Sequence, residues 1–309
     1  MNSRFQLWGF TIVIGLSIVS CTPQQPEVTA TISGTITHID SLTVYCDEAY
    51  QYLMAQEIRI YELNQPDKHI HIVYEPETEV LKHLMIDSFA AVIVGRNLKK
   101  QDEDELFRKT RLQVEQHPFA KDGISIIANT HFAKDTIPYS LLLALLSGKN
   151  AECKVVFEGK GSGVISYMFA QISTSTSTSA FAVRNADELI DYLQKDTHAI
   201  GLMPYAAISD EDDTAVQHLL KKVKVLVITK ADSSGKTNAT TACQSEIADG
   251  SYPLHRPINF ITHTMDDKVG TGFANFLYKE QSGRIILKSG LVPTIMPTRV
   301  LNVNTDGIK

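Results

Sequence analysis

From residue 34 onward, short apolar runs alternate with segments of helical period. "GTITHIDSLTVYCD" (34–47) is rich in β-formers, and "EAYQYLMAQEIRIYELN" (48–64) sets Tyr52, Ala55, Ile58 and Leu63 near one helical face, which predicts a strand followed by a helix. "HIHIVYEP" (69–76) alternates apolar and polar residues as a strand does, and "ETEVLKHLMID" (77–87) has helical spacing. "FAAVIVGR" (89–96) is a continuous apolar run suited to a strand buried on both faces. This βαβαβ order implies parallel strands linked by helices, with a ligand crevice beyond the carboxyl ends of the strands.

An acidic helix is predicted near 102–109, then a buried strand over "QHPFAKDGISIIAN" (116–129), where a second unit starts. The apolar segment 141–147 stops at Gly148, and "CKVVFEG" (153–159) reads as a strand. It runs straight into Gly161-Ser162-Gly163 and a helix over about 162–171, a tight strand-to-helix turn. "STSTSTS" (173–179) reads as a solvated loop. In "NADELIDYLQKD" (185–196) Asn185 can cap a helix whose Leu189, Tyr192 and Leu193 share a face. Strands are predicted at "HAIGLMPY" (198–205), "VKVLVITK" (223–230) and "YPLHRPINFITH" (252–263), the last entered through two prolines like a crossing between domains. One amphipathic helix within 270–293 is expected to end near Ser289-Gly290, ahead of Pro293.

The N-terminal segment follows a different rule. Arg4 precedes an apolar run from Leu7 to Val19, too short for a stable membrane span, which marks an export signal. Its end, Ile18-Val19-Ser20-Cys21, resembles the lipobox of bacterial lipoproteins. That resemblance implies removal of residues 1–21 as a signal up to a lipidated Cys21 at the mature N-terminus, attaching the chain to a membrane of the cell envelope. The polar, proline-bearing stretch 22–30 then serves as a flexible tether.

The 309 residues carry a formal net charge of −6, with no long basic run, so a nucleic-acid partner is not expected. Cys46, Cys153 and Cys243 lack the spacing of a zinc site, and His69, His71, His255 and His263 have no carboxylate at ligand spacing. A nucleophile elbow would need glycines where Lys160 and Val164 stand, and a P-loop ending at "SSGKT" (233–237) would need one at Lys230. No catalysis, metal or cofactor is therefore expected.

"NADELIDYLQKDTHAIGLMPYAAISD" (185–210), "YPLHRPINFIT" and "TGFANFLYKEQSGRIILKSGLVP", with "VFEGKGSG" and "SLTVYCDEA" at the loops after two strands, together resemble the phosphate-type periplasmic solute-binding family, the lipid-anchored receptors of ABC importers. The resemblance covers about residues 35–300. It implies a two-lobed α/β fold of the periplasmic-binding-protein type (class II) with two hinge crossovers. Residues 31–118 and 253–309 would form lobe 1 and 119–252 lobe 2, with hinges near 118–122 and 251–257. It also implies capture of a small inorganic oxyanion, phosphate above all, for delivery to an ABC permease. Gly161, Ser162 and Gly163 would supply donors from one lobe, and Arg96, Thr78, Asp47 and Glu48 would face them from the other. Three family positions differ here: Glu158 replaces an arginine ahead of the serine, Val164 replaces a threonine, and Gly95-Arg96 stands where an aspartate is expected. Asp47 and Glu48 can equally charge the following helix, and Arg96 can pair with Asp47, Glu48, Glu75 or Glu77. So many carboxylates would repel phosphate unless they point outward. A family member that has lost uptake and acts as a scaffold or interaction subunit at the membrane surface is the alternative.

Overall fold

The computed structural model describes residues 40–86, 91–172, 180–263 and 268–298. The expected signal sequence with Cys21, the expected tether and the serine–threonine run 173–179 lie outside the described residues, as do the last residues expected in lobe 1. The chain opens with β1 (Asp40–Asp47), α1 (Gln51–Asn64), β2 (Lys68–Glu75), α2 (Glu77–Ile86) and β3 (Ala91–Val94). The expected βαβαβ unit is present: β1 pairs parallel with β2 on one side and β3 on the other. All four residues of β3 are buried, as a strand covered on both faces requires.

Next come α3 (Lys100–Thr110), β4 (Val114–Asn129), β5 (Thr136–Pro138), α4 (Tyr139–Leu146), β6 (Lys154–Phe157), α5 (Gly163–Gln171), β7 (Ala180–Ala182), α6 (Ala186–Lys195) and β8 (Ala199–Pro204). The 16-residue β4 organises the molecule. Its first part pairs antiparallel with β12 (His255–His263), up to the partners Gly123 and His255, and its second part pairs with β8 from Ile124 onward. One sheet therefore runs β2-β1-β3-β12-β4-β8-β6-β7, with parallel pairs at both ends and antiparallel ones at the middle. The sequence boundary at 118/119 falls inside β4, and that at 252/253 just ahead of β12.

The remaining elements are α7 (Thr214–Leu220), β9 (Val223–Val225), β10 (Val227–Ala231), β11 (Thr237–Thr240), α8 (Gln244–Ala248), α9 (Lys268–Leu277), α10 (Glu280–Lys288) and β13 (Val292–Pro293). Two expectations are corrected here. The run 223–230 is not one strand, because Leu226 N–H bonds Ile126 in β4 while Val227 N–H bonds Asp135, which moves the chain from the main sheet into a small one, β11-β10-β5. The C-terminal amphipathic segment is two helices. Lys279 takes an extended conformation between them, and the second does end at Ser289-Gly290, with Gly290 at φ 79°.

A third correction concerns α1. Its buried face is Leu53, Met54, Glu57, Ile58 and Tyr61, while Tyr52 and Leu63 are 76% and 67% exposed. Glu57 lies at the middle of that face, opposite the Ser282 hydroxyl of α10 at 3.0 Å. Burial pushes its carboxyl up to about 8, more than the serine bond lowers it. A raised carboxyl binds its proton more tightly when folded, so the associated stability is present at acid pH and is lost as pH climbs from about 4.5 through 8. Replacing Glu57 by Gln should flatten this fall, with the variant gaining on the order of 1–3 kcal/mol over the parent between pH 5 and pH 9. Urea midpoints at the two pH values measure it; identical pH dependence in both proteins would rule out the buried proton.

Candidate functional site

The carboxyl ends of β1, β2 and β3 carry Asp47-Glu48, Pro76-Glu77 and Gly95-Arg96, and the end of β6 carries Glu158 and the glycine turn. These ends meet around Arg256 of β12, which is 1% exposed. Its guanidinium donates to Asp122 Oδ2 through Nε at 3.2 Å and Nη2 at 2.9 Å. The partnership is set by register, since Arg256 and Asp122 lie directly opposite on β12 and β4. Asp122 also accepts the Ala206 N–H at 3.0 Å and the Tyr50 hydroxyl at 3.3 Å, and the Tyr50 ring lies 5.8 Å from the guanidinium. Four segments are thus tied to one buried ion pair.

Glu77, the first residue of α2, is fully buried. Its Oε2 accepts the Gly95 N–H at 3.2 Å. A β-carbon placed on Gly163 would overlap this carboxylate, at 2.7 Å from Cδ, and would lie 3.0 Å from Arg256 Nη1. One on Gly95 would lie 2.7 Å from the same Nη1. Glycines just after β3 and at the start of α5 therefore leave room for the Glu77 carboxylate and the Arg256 guanidinium between the two parts of the sheet.

The glycine turn faces this cluster. Gly161 has φ +84°, its carbonyl accepts the Thr78 N–H at 3.1 Å, and a β-carbon there would crowd Thr78 Oγ1. Ser162 caps α5, accepting the Val164 N–H at 3.2 Å, so its hydroxyl proton remains available to donate. Of the residues read from the sequence, Gly161, Ser162, Gly163, Thr78 and Asp47 are brought together. Glu48 is exposed at the rim, its carboxylate 3.8 Å from where a Gly159 β-carbon would be. Arg96 stands outside the ion pair: its Nε is 3.9 Å from Glu77 Oε1 and its Nη2 3.7 Å from Asp102. The guanidinium deepest between the strand ends is Arg256, in the segment that the sequence reading took only as a crossing entered through two prolines. What singles it out is the pairing register of β12 with β4, which sets it opposite Asp122.

Acidic groups outnumber this cation. Asp47 is 3% exposed and accepts the Ala49 N–H at 3.1 Å. Burial and then the charge of Glu77 push its carboxyl up to about 7, against the pull of Arg256. Burial and the nearby Glu48 push Glu158 up to about 7 as well. Asp47 Oδ2, Glu77 Oε1, Glu158 Oε2 and Arg256 Nη1 are buried without a hydrogen-bond partner among the described residues. Arg96 Nε, 3.9 Å from Glu77 Oε1, is buried and unpartnered too, so the site holds three unsatisfied acceptors beside two unsatisfied donors. Among the described residues no group of three or more His, Cys, Asp or Glu side chains is arranged to hold a metal ion, and no helix is long and apolar enough to cross a membrane. Cys46 and Cys153 are buried thiols and Cys243 is half-buried; all three are free.

Removing the guanidinium should leave Asp122 buried and unpaired. Arg256→Met is expected to cost about 3–5 kcal/mol of stability, and adding Asp122→Leu to recover much of that loss. Chemical unfolding of the two variants reads both numbers; equal stability of the single and double variants would show that the pair is not the local tie.

The model of a PBP superfamily domain matches residues 28–281. A phosphate-binding protein PstS of Staphylococcus saprophyticus is 24% identical over 213 residues, which is 64% of this chain; the chain spans 63% of that relative's length. Among solved structures, one described as a phosphate ABC transporter substrate-binding protein with bound phosphate, from Clostridium perfringens, superposes with a TM-score of 0.65 at 16% identity, covering 82% of this chain and all of that one. An ABC-type phosphate transport receptor from Vibrio cholerae gives 0.62 at 16% identity, over 81% of this chain and 99% of its own. The resemblance read from the sequence and the periplasmic-binding-protein-like α/β fold are borne out by these matches.

Proposed function

This chain belongs to the PBP superfamily, and on that premise we propose that it is an extracytoplasmic solute-binding protein of ABC-type uptake that takes a small oxyanion, phosphate first among candidates. The observation that carries the reading is the meeting of Gly161-Ser162-Gly163, at the N-terminus of α5, with Arg256 and the Gly95 amide from strands on the other side of the sheet. A helix N-terminus, a hydroxyl, a backbone amide and a guanidinium are the donors an oxyanion uses, and out of water each is worth more than in it.

In this reading residues 31–118 and 253–309 form one lobe and 119–252 the other, with β4 and β12 as the crossovers. Solute binds the closed arrangement better and shifts the population toward it. Thr78, Asp47, Glu48 and Arg96 line the facing side. No step of chemistry is assigned to the chain. A lipidated Cys21 holds it to the envelope membrane beside a permease.

A second reading is favoured by the carboxylates of Asp47, Glu77 and Glu158: a family member that carries no solute and serves as an interaction subunit at the membrane surface. Titration with inorganic phosphate separates the two. Saturable binding, weakened about fivefold by Ser162→Ala, is expected of a receptor; absence of heat from phosphate, sulfate and molybdate at millimolar concentration would exclude the oxyanion reading. Cys21→Ala should move the protein from the membrane pellet to the soluble fraction, and continued pelleting would remove the anchor.

A further inference from the structure

The donors attributed above to a solute already face a carboxylate of the chain. Glu77 Oε2 accepts the Gly95 N–H at 3.2 Å, and its carboxylate lies against the backbone of Gly163, in the space a side chain there would need. Arg256 Nη1 lies 3.0 Å from where that β-carbon would be, and Arg96 Nε stands 3.9 Å from Glu77 Oε1. The arrangement is built: Glu77 and Arg256 are 0% and 1% exposed, and Glu77 Oε1 and Arg256 Nη1 have no hydrogen-bond partner among the described residues. The first turn of α2 that delivers Glu77 is also bonded to the glycine turn, through Thr78 N–H and Gly161 C=O at 3.1 Å.

We infer that Glu77 is an internal ligand of the oxyanion site, its carboxylate seated on the Gly95 amide against the start of α5 in place of solute. This deepens the proposed function and rests on it. A tethered carboxylate competes at a high effective concentration, and a free anion binds only the fraction of molecules in which it has withdrawn. Entry without that withdrawal would set the anion beside the Glu77 carboxylate, with Arg256 already paired with Asp122. Glu77 thereby determines how tightly, and for which anions, the site closes.

The test is calorimetric titration of inorganic phosphate, at constant ionic strength, into the parent, Glu77→Ala and Glu77→Gln, with hydrogen exchange of residues 159–165 measured before phosphate is added. The alanine variant should bind at least about tenfold tighter than the parent, as expected when a tenth or less of the parent is competent. It should also exchange faster over 159–165, and the neutral glutamine should fall between. A parent that binds phosphate as well as or better than Glu77→Ala would overturn the internal ligand and leave the receptor reading standing. If neither protein binds phosphate, the receptor reading falls and exchange decides alone: faster exchange in the variant keeps Glu77 as the seated group, and unchanged exchange removes it. Should the alanine variant not fold, the same comparisons hold between the parent and Glu77→Gln.

Discussion

The rest of the site depends on the ion pair between Arg256 and Asp122. Both are buried, and they face each other across β12 and β4. A guanidinium out of water is tolerable only with its charge matched, and Asp122 Oδ2 accepts from both Nε and Nη2 while Nη1 stays without a partner among the described residues. The second oxygen of that carboxylate holds Ala206, just after β8, while Tyr50 reaches the pair from the turn after β1. The pair therefore sits where β4 leaves β12 and joins β8, and it orients the one cation at the middle of the strand ends. What else gathers there is constrained by that cation.

Carboxylates gather. Asp47, Glu77 and Glu158 lie near a guanidinium whose charge Asp122 already meets; burial, with Glu77 beside Asp47 and Glu48 beside Glu158, pushes both carboxyls up to about 7. Backbone donors do not carry this liability. The N-terminus of α5 and the Gly95 amide present partial positive charge whichever side chains surround them. Glycines at 95, 161 and 163 keep the approach between these strand ends open.

The secondary elements were largely readable because each is written in local periodicity. The parallel βαβαβ unit, the Asn185 cap with its Glu188 N–H at 3.0 Å, and the Gly290 stop all follow from short-range pattern. Where reading failed, a long-range contact overrode the local signal. Counting only apolar residues tilted the face of α1, because its centre is Glu57, buried against Ser282 more than two hundred residues away. No glycine or proline marks the break at Lys279, which lets Ser282 reach Glu57 and lets Tyr61 pack edge-on to Phe273 with ring centres 5.1 Å apart. The strand break at Leu226 has a similar origin, a bond to Ile126 in a different part of the chain.

Amino-acid order alone determined the α/β class, the alternation of strands and helices, and the glycine turn that opens α5, since these need only neighbours within one turn or one strand. It also located most of the residues that line the strand ends. Which cation lies among them was decided by tertiary pairing: β12 and β4 come together in a register that sets Arg256 opposite Asp122, while Arg96 stays at the rim beside Asp102. The place of Glu77 was decided likewise, because a carboxylate at a helix start reads as a first-turn charge until the folded sheet brings Gly163 and the Gly95 amide against it. Register and burial are properties of the assembled sheet, and no window of sequence contains both partners.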